Sequence, residues 1–198
     1  KVIVVSRAMI EKLPPSLDYE IIPSGIDLDN FFPIPKTEAR NKLAHPLDKK
    51  LILFGGTKNN PIKRYDLALK AFNELKKIRT DVEFVLMENK LHSDIVYFMN
   101  SCDVLLLTST QEGSPNVIKE ALACNLPIVS LEVGDVKERI ENLPWCRLNI
   151  DENPVTIAKN LHEVLSWTGK TDSRESVKEI SEEKQTKKLL KIYNSLAE

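Results

Sequence analysis

The sequence has only three cysteines, Cys102, Cys124 and Cys146, an odd number placed far apart. That argues against a disulfide framework or a thiolate zinc site and predicts buried free thiols. The three histidines, His45, His92 and His162, are as scattered, so a His-based metal centre is not expected and no metal is assigned. No apolar run approaches the length of a membrane span, and the opening KVIVVS is too short for a signal-peptide core; a cytoplasmic location is expected. An excess of one charge is missing too. The 28 Lys and Arg against 29 Asp and Glu leave a net charge of -1, which gives no general attraction to nucleic acid or to an anionic membrane. There is no internal repeat and no low-complexity tract.

What is present is an ordinary globular composition, 42% apolar and 29% charged over 198 residues, enough for a full core in one large or two small domains. The chain opens at Lys1 in a strand-like pattern without an initiating Met, so it is expected to be part of a longer polypeptide that carries some of the active site. Val2 to Val5 reads as a short strand, Met9, Ile10 and Leu13 as a short helix stopped by Pro14-Pro15, and Tyr19 to Ile22 as a second strand. Pro23-Ser24-Gly25-Ile26-Asp27 and Phe31-Phe32-Pro33 form a connector rich in turn residues.

From Lys50 a second unit begins. Leu51 to Phe54 reads as a buried strand, Gly55-Gly56 as a tight exit, and Tyr65 to Ile78 as a helix with Leu67, Ala68, Ala71, Phe72 and Leu75 on one face. The loop between them puts Lys58, Lys63 and Arg64 beyond the carboxyl end of a strand, where a diphosphate could use them; most loop cations are simply solvated. Val82 to Met87 is a further strand, Ile95 to Met99 part of a helix, Arg147 to Ile150 a strand, and Pro154 to Trp167 a helix. Gly134-Asp135-Val136-Lys137-Glu138 has the pattern of a capping box. Ser181 to Leu196 reads as a charged amphipathic helix packed on the surface through Leu189, Leu190, Ile192, Tyr193 and Leu196.

The most informative stretch runs from Val104 to Leu131. An unbroken apolar run, Val104 to Leu107, has the character of a strand covered on both faces. Ser114 is in position to cap the following helix, with Pro115 at its first residue. Val117, Ile118, Ala121 and Leu122 make the apolar face, and Asn125 with Leu126-Pro127 ends the helix before the strand Ile128 to Leu131. Alternating strands and helices imply an α/β fold with a Rossmann-like, doubly wound parallel sheet.

Two carboxylates frame this crossover, Glu112 in the loop and Glu120 in the helix. Ligands of open α/β sheets bind beyond the carboxyl ends of the strands, where a helix N-terminus offers free N–H groups to an anion. Glu120 would lie roughly 7.5 Å up the helix from such an anion, with Glu112 at its mouth. A nucleoside diphosphate-sugar has that layout, a sugar on one side of the diphosphate and a ribose diol on the other. Taken alone, a Glu pair at this spacing is more ordinarily a helix-end charge and a solvated surface residue.

In four segments the chain resembles the C-terminal half of retaining glycosyltransferases of the GT-B fold, family 4. They are PSGIDLDNFFP at 23–33, GGTKNNPIKRYDLALKAF at 55–72, EGSPNVIKEALACNLPIV at 112–129 and VGDVKERI at 133–140. The resemblance implies that residues 1–24 are the end of an N-terminal lobe or its junction, 25–38 an interdomain linker, 39–180 the nucleotide-sugar domain, and 181–198 a helix packing back toward the N-terminal lobe. It implies transfer of a sugar from a nucleoside diphosphate donor, with retention, to a glycan, lipid or small-molecule acceptor held mainly by that other lobe. No cofactor and no nucleic acid are implied; peripheral membrane contact would be made by the other lobe.

By the same resemblance Glu112 contacts the donor sugar and Glu120 the ribose, the backbone of Gly113, Ser114, Pro115, Asn116 and Val117 holds the diphosphate beside Gly55 and Gly56, and Lys58 and Lys63 stabilise the leaving group without a metal. Lys58 stands where that family usually has Arg, Ser114 replaces a larger residue, and the segment from Glu88 to Cys102 is short, with Asn89 to His92 as a compact substitute for the base-holding part. Competing expectations are a non-catalytic sugar-nucleotide-binding regulatory module or another GT-B enzyme such as a sugar-nucleotide epimerase.

Overall fold

The computed structural model describes residues 1–87 and 90–197. Asn89 therefore lies outside the described residues, while His92 opens a helix. Five parallel strands form the main sheet in the order β4-β3-β5-β6-β7: β3 Lys50–Phe54, β4 Val82–Leu86, β5 Val104–Leu107, β6 Ile128–Leu131 and β7 Arg147–Asn149. Two shorter strands, β1 Val2–Val4 and β2 Tyr19–Ile21, pair in parallel as a separate ribbon, with a 3-10 turn Arg7–Lys12 between them.

Helices alternate with the strands of the main sheet, because successive parallel strands need a crossover between them. They are α1 Lys36–Leu43, α2 Tyr65–Lys76, α3 His92–Ser101, α4 Asn116–Ala123, α5 Val136–Ile140, α6 Pro154–Leu165, α7 Arg174–Val177 and α8 Glu182–Ala197. Because side chains alternate along a strand, each strand feeds both faces of the sheet. Leu51, Leu53, Leu105, Leu107 and Ile128 pack with residues of α3, α4 and α5, including Val96, Ile118, Leu122 and Val136. Ile52, Phe54, Val104, Leu106 and Val129 pack with α2 and α6 through Leu67, Ala71, Leu75, Ile157 and Leu161. The doubly wound reading is thus realised, and the five residues expected on the buried face of α2 are all buried. The three thiols are free and buried, and burial pushes each up to about 12.

The strand order has one functional consequence. The chain leaves β3 to one side for β4, then returns across β3 to β5 and continues outward. The loops after β3 and β5 therefore diverge to opposite faces and leave a crevice at the carboxyl edge, the topological switch point of such sheets.

Two expectations are corrected by the fold. Among the described residues, the α8 side chains Leu190, Tyr193 and Leu196 are exposed at 53–64%, Leu189 and Ile192 are half-buried and Gln185 is the buried one, so the helix is anchored at its start and only part of its apolar stripe is covered by this chain. The anchor is an isolated bridge between Ile26 and Ser181 with Glu182 N–H on the Ile26 carbonyl at 2.9 Å. Asp135 is also not part of a capping box: its side chain makes no cap hydrogen bond to α5, because the Arg139 guanidinium and the Ser114 hydroxyl claim its carboxylate. Among the described residues no helix is long and apolar enough to cross a membrane.

Candidate functional site

The crevice is built from three loops, those after β3, β5 and β6. After β3, Gly55 is locked into the seam by its N–H on the Leu106 carbonyl at 2.9 Å. Gly56 lies under the Lys63 stem: a Cβ there would come within 2.7 Å of Lys63 Cβ. Only glycine lets that stem cross the backbone so closely. The turn carrying Lys63 is itself fixed. Asn60 Oδ1 caps the 3-10 turn Pro61–Lys63 at the Ile62 N–H, and the Thr108 hydroxyl at the end of β5 bonds the Lys63 and Arg64 carbonyls at 2.9 and 3.1 Å. This clamp between the two loops brings Lys63 Nζ to 2.5 Å from Glu112 Oε1, in a pair that is partly buried.

The three loop cations thus have different fates. Lys63 meets Glu112. Arg64 turns to Glu152, at 2.7 Å, and belongs to the outer edge. Lys58 places its ammonium 5.4 Å from the centroid of the Tyr65 ring, near the Phe54, Tyr65 and Phe84 aromatic cluster.

After β5, the Gly113 turn leads into α4. The helix begins one residue later than the sequence suggests: Pro115 occupies the N-cap and no side chain caps it. Ser114 Oγ instead donates to Asp135 Oδ2 at 2.8 Å, a partner 21 residues away that the local pattern does not reveal. The first N–H groups of α4, at Asn116 and Val117, have no carbonyl one turn earlier to bond, which leaves them to an anion or to water. The turn after β6 supports this loop from behind. Gly134 adopts φ +55, and a Cβ there would lie 2.4 Å from the Gly113 carbonyl oxygen, so the two turns stack backbone on backbone. Asn125, at φ +58, ends α4 as expected, with Leu126 N–H on the Ala121 carbonyl at 2.9 Å.

Glu120 points to the half-buried side of α4. Burial raises the pKa of its carboxyl, opposed by the charges of His92 and Lys119. It is therefore not the solvated surface residue of the bland reading. The sequence missed a neighbour outright: Lys119 is 1% exposed and donates to the Ser24 carbonyl at 2.7 Å and to Ser114 Oγ at 3.2 Å. The available hint was that a helix between two fully apolar strands is enclosed on more than one face. A cleft of about 700 Å³ opens beside Glu112 and Gly113, walled by Met9, Leu13, Ile62 and Val133. Among the described residues no group of three His, Cys, Asp or Glu side chains is placed to hold a metal ion.

A family model described as "Glycosyl transferases group 1" matches residues 88–166, the span that contains the β5 loop, α4 and the β6 turn. Over that span the chain is similar to the glycosyltransferases which the model describes. It is similar to D-inositol 3-phosphate glycosyltransferase of Mycobacterium tuberculosis, 26% identical over an alignment 141 residues long, which covers 58% of this chain and 29% of the relative. The domain thus spans under a third of that relative's length.

The fold of the glycosyltransferase-like domain is shared with solved structures. Sucrose-phosphate synthase from Thermosynechococcus elongatus superposes with a TM-score of 0.80 at 18% identity, covering 98% of this chain and 58% of that one. Anabaena HepE, solved in complex with UDP and glucose, superposes with a TM-score of 0.78 at 19% identity, covering 98% and 62%. These likenesses are to Rossmann-like lobes of GT-B glycosyltransferases.

Proposed function

We propose that the domain is the donor-binding, C-terminal half of a retaining family 4 glycosyltransferase. The observation that carries this reading is the Lys63–Glu112 pair at the switch point, a cation and a carboxylate held together beside the open N-terminus of α4. In the unliganded protein each neutralises the other. On donor binding, Lys63 moves to a diphosphate oxygen while the Asn116 and Val117 N–H groups bond the phosphate. Glu112 is then released to accept from a hydroxyl of the donor sugar, and Glu120 accepts from the ribose diol. Gly113, Ser114 and Pro115 shape the turn, and Gly55 and Gly56 leave room for the Lys63 stem.

The chemistry that follows breaks the bond between the anomeric carbon and the β-phosphate oxygen, and the electron pair leaves with the nucleoside diphosphate. The acceptor hydroxyl attacks the same face of the sugar and gives its proton to the departing phosphate oxygen. Lys63, with Lys58 at the mouth of the loop, and the α4 N-terminus stabilise the charge that develops, in place of a metal. The acceptor is held mainly by an N-terminal lobe to which residues 1–24 belong; residues 25–38 are the linker, and α8 covers its exposed apolar stripe on that lobe. Cytoplasmic location, and membrane contact through the other lobe, belong to the same reading.

Because HepE binds UDP and glucose, UDP-glucose is the first donor to test. Calorimetric titration of the chain with UDP-, GDP- and ADP-sugars should show one base preferred; binding of none sinks the reading. A regulatory module without turnover is favoured by one observation, the Lys58 ammonium over the Tyr65 ring. The full-length protein decides between them: donor hydrolysis or transfer supports the enzyme, and tight donor binding without either supports the module.

A further inference from the structure

Lys119 is the most buried cation near the crevice, and the donor reading gives it no role. Its ammonium reaches the Ser24 carbonyl, in the connector between the small ribbon and the main sheet, and Ser114 Oγ, in the anion-binding turn. Since Ser114 accepts from Lys119, its own proton goes to Asp135, which is 4% exposed and bonded by Arg139 at 2.7 and 3.1 Å. One buried network therefore ties together the connector, the α4 turn and the β6 turn.

Its charges do not balance. Lys119 and Arg139 face one carboxylate, Asp135; the next acid, Glu120, is on α4 itself and half-buried, with a carboxyl whose pKa is raised by burial. An uncompensated buried cation is costly, and a leucine or methionine at the position would pack at less cost. The missing negative charge is the one an anion at Gly113–Val117 would supply.

We propose that Lys119 is a positioning residue of the donor site, its buried ammonium fixing Ser114 and adding the positive charge that favours a diphosphate at the start of α4. This rests on the donor reading above. A purely structural lysine would tie Ser24 to the helix without affecting anion affinity as pH changes. Burial lowers the Lys119 pKa from 10.5 to about 8, with Asp135 and Glu120 raising it and Arg139 lowering it. A bound anion must raise that pKa again, so UDP affinity is greatest while Lys119 is protonated and falls as pH passes through 8.

The test is calorimetric titration of the 198-residue chain with UDP between pH 7 and 9. The wild-type affinity should fall about fivefold over that range, as expected if anion binding raises the Lys119 pKa by about one unit. Lys119→Arg, charged throughout, should bind without that fall, and Lys119→Met should bind about tenfold more weakly at pH 7 with a flat profile. Parallel profiles for wild type and Lys119→Arg overturn the inference, as does wild-type affinity at pH 7 in Lys119→Met. If neither variant folds, the wild-type profile still decides: UDP binding unchanged from pH 7 to 9 overturns the inference alone. Absence of UDP binding at every pH removes the donor reading and the inference with it.

Discussion

At the amino edge of the sheet Asp103 accepts from Arg40 Nη2 and Lys36 Nζ at 2.7 Å each and from the Leu51 N–H at 2.8 Å, with Lys50 at 3.6 Å. Arg40, 4% exposed, spends its other donors on the Ser101, Pro46 and Leu47 carbonyls. At the carboxyl edge Glu112 faces Lys63, and the pair is open enough to exchange partners. Both are ion pairs of short distance beside a strand of the same sheet. What separates them is saturation: the Asp103 cluster has bonded its buried groups within the protein, whereas the Glu112 pair lies beside helix N–H groups that still need an acceptor. Short distance alone does not distinguish the two pairs.

Removing Asp103 should have the largest effect. Asp103→Ala leaves Arg40 buried without its carboxylate and should cost about 3–5 kcal/mol in urea denaturation. UDP affinity of the folded fraction should stay within about twofold. A stable Asp103→Ala chain, or one with lost UDP binding, breaks the contrast between the two edges.

At the carboxyl edge the pattern should reverse. Lys63→Ala should cost under about 1 kcal/mol of stability, since its pair is partly exposed. It should weaken UDP and UDP-glucose alike by roughly tenfold, the worth of a charge-assisted hydrogen bond. Glu112→Ala should leave UDP affinity near wild type but narrow the difference between UDP-glucose and UDP. Equal losses for both ligands would place Glu112 away from the sugar.

Glu120 gives the smallest expected effect on stability. Its carboxyl binds a proton more tightly folded than unfolded, so the folded chain loses stability as pH rises from the unfolded range into ionisation of this group. Glu120→Gln should therefore be more stable than wild type at pH 7 by under about 1 kcal/mol, with the gain fading at acid pH where both side chains are neutral. The same variant should bind UDP less tightly, because the amide replaces one acceptor for the ribose diol with a donor. A variant unchanged in both respects would return Glu120 to the surface.

Much of the fold was legible because apolar pattern and punctuation agree along the chain. The strands Val104–Leu107 and Ile128–Leu131 are observed at the residues expected, and α2 buries the face that its period specifies. The crossover, the uncapped N–H groups at the start of α4 and the placing of Glu112 in the loop and Glu120 in the helix follow from the same local signals. Local signals misled where a side chain had a choice of partners. Ser114 and Asp135 read as helix caps, yet each found a stronger bond in the other, because the Gly113 and Gly134 turns are stacked. The α8 stripe read as packed, yet only Leu189 and Ile192 are partly covered, because an amphipathic pattern states that a face needs cover without naming what covers it.

The sequence by itself determined the order of strands and helices, the crevice-forming loops and the residue types available in them. Period, turn chemistry and caps act over a few residues and are written in neighbouring positions. Only the tertiary structure decided that Lys63, and not Arg64, meets Glu112, that Asp103 saturates Arg40, and that Lys119 is buried against Ser24, 95 residues away in sequence. A lysine on a helix is solvated by default, and its burial depends on a distant carbonyl and hydroxyl arriving together, which packing alone arranges.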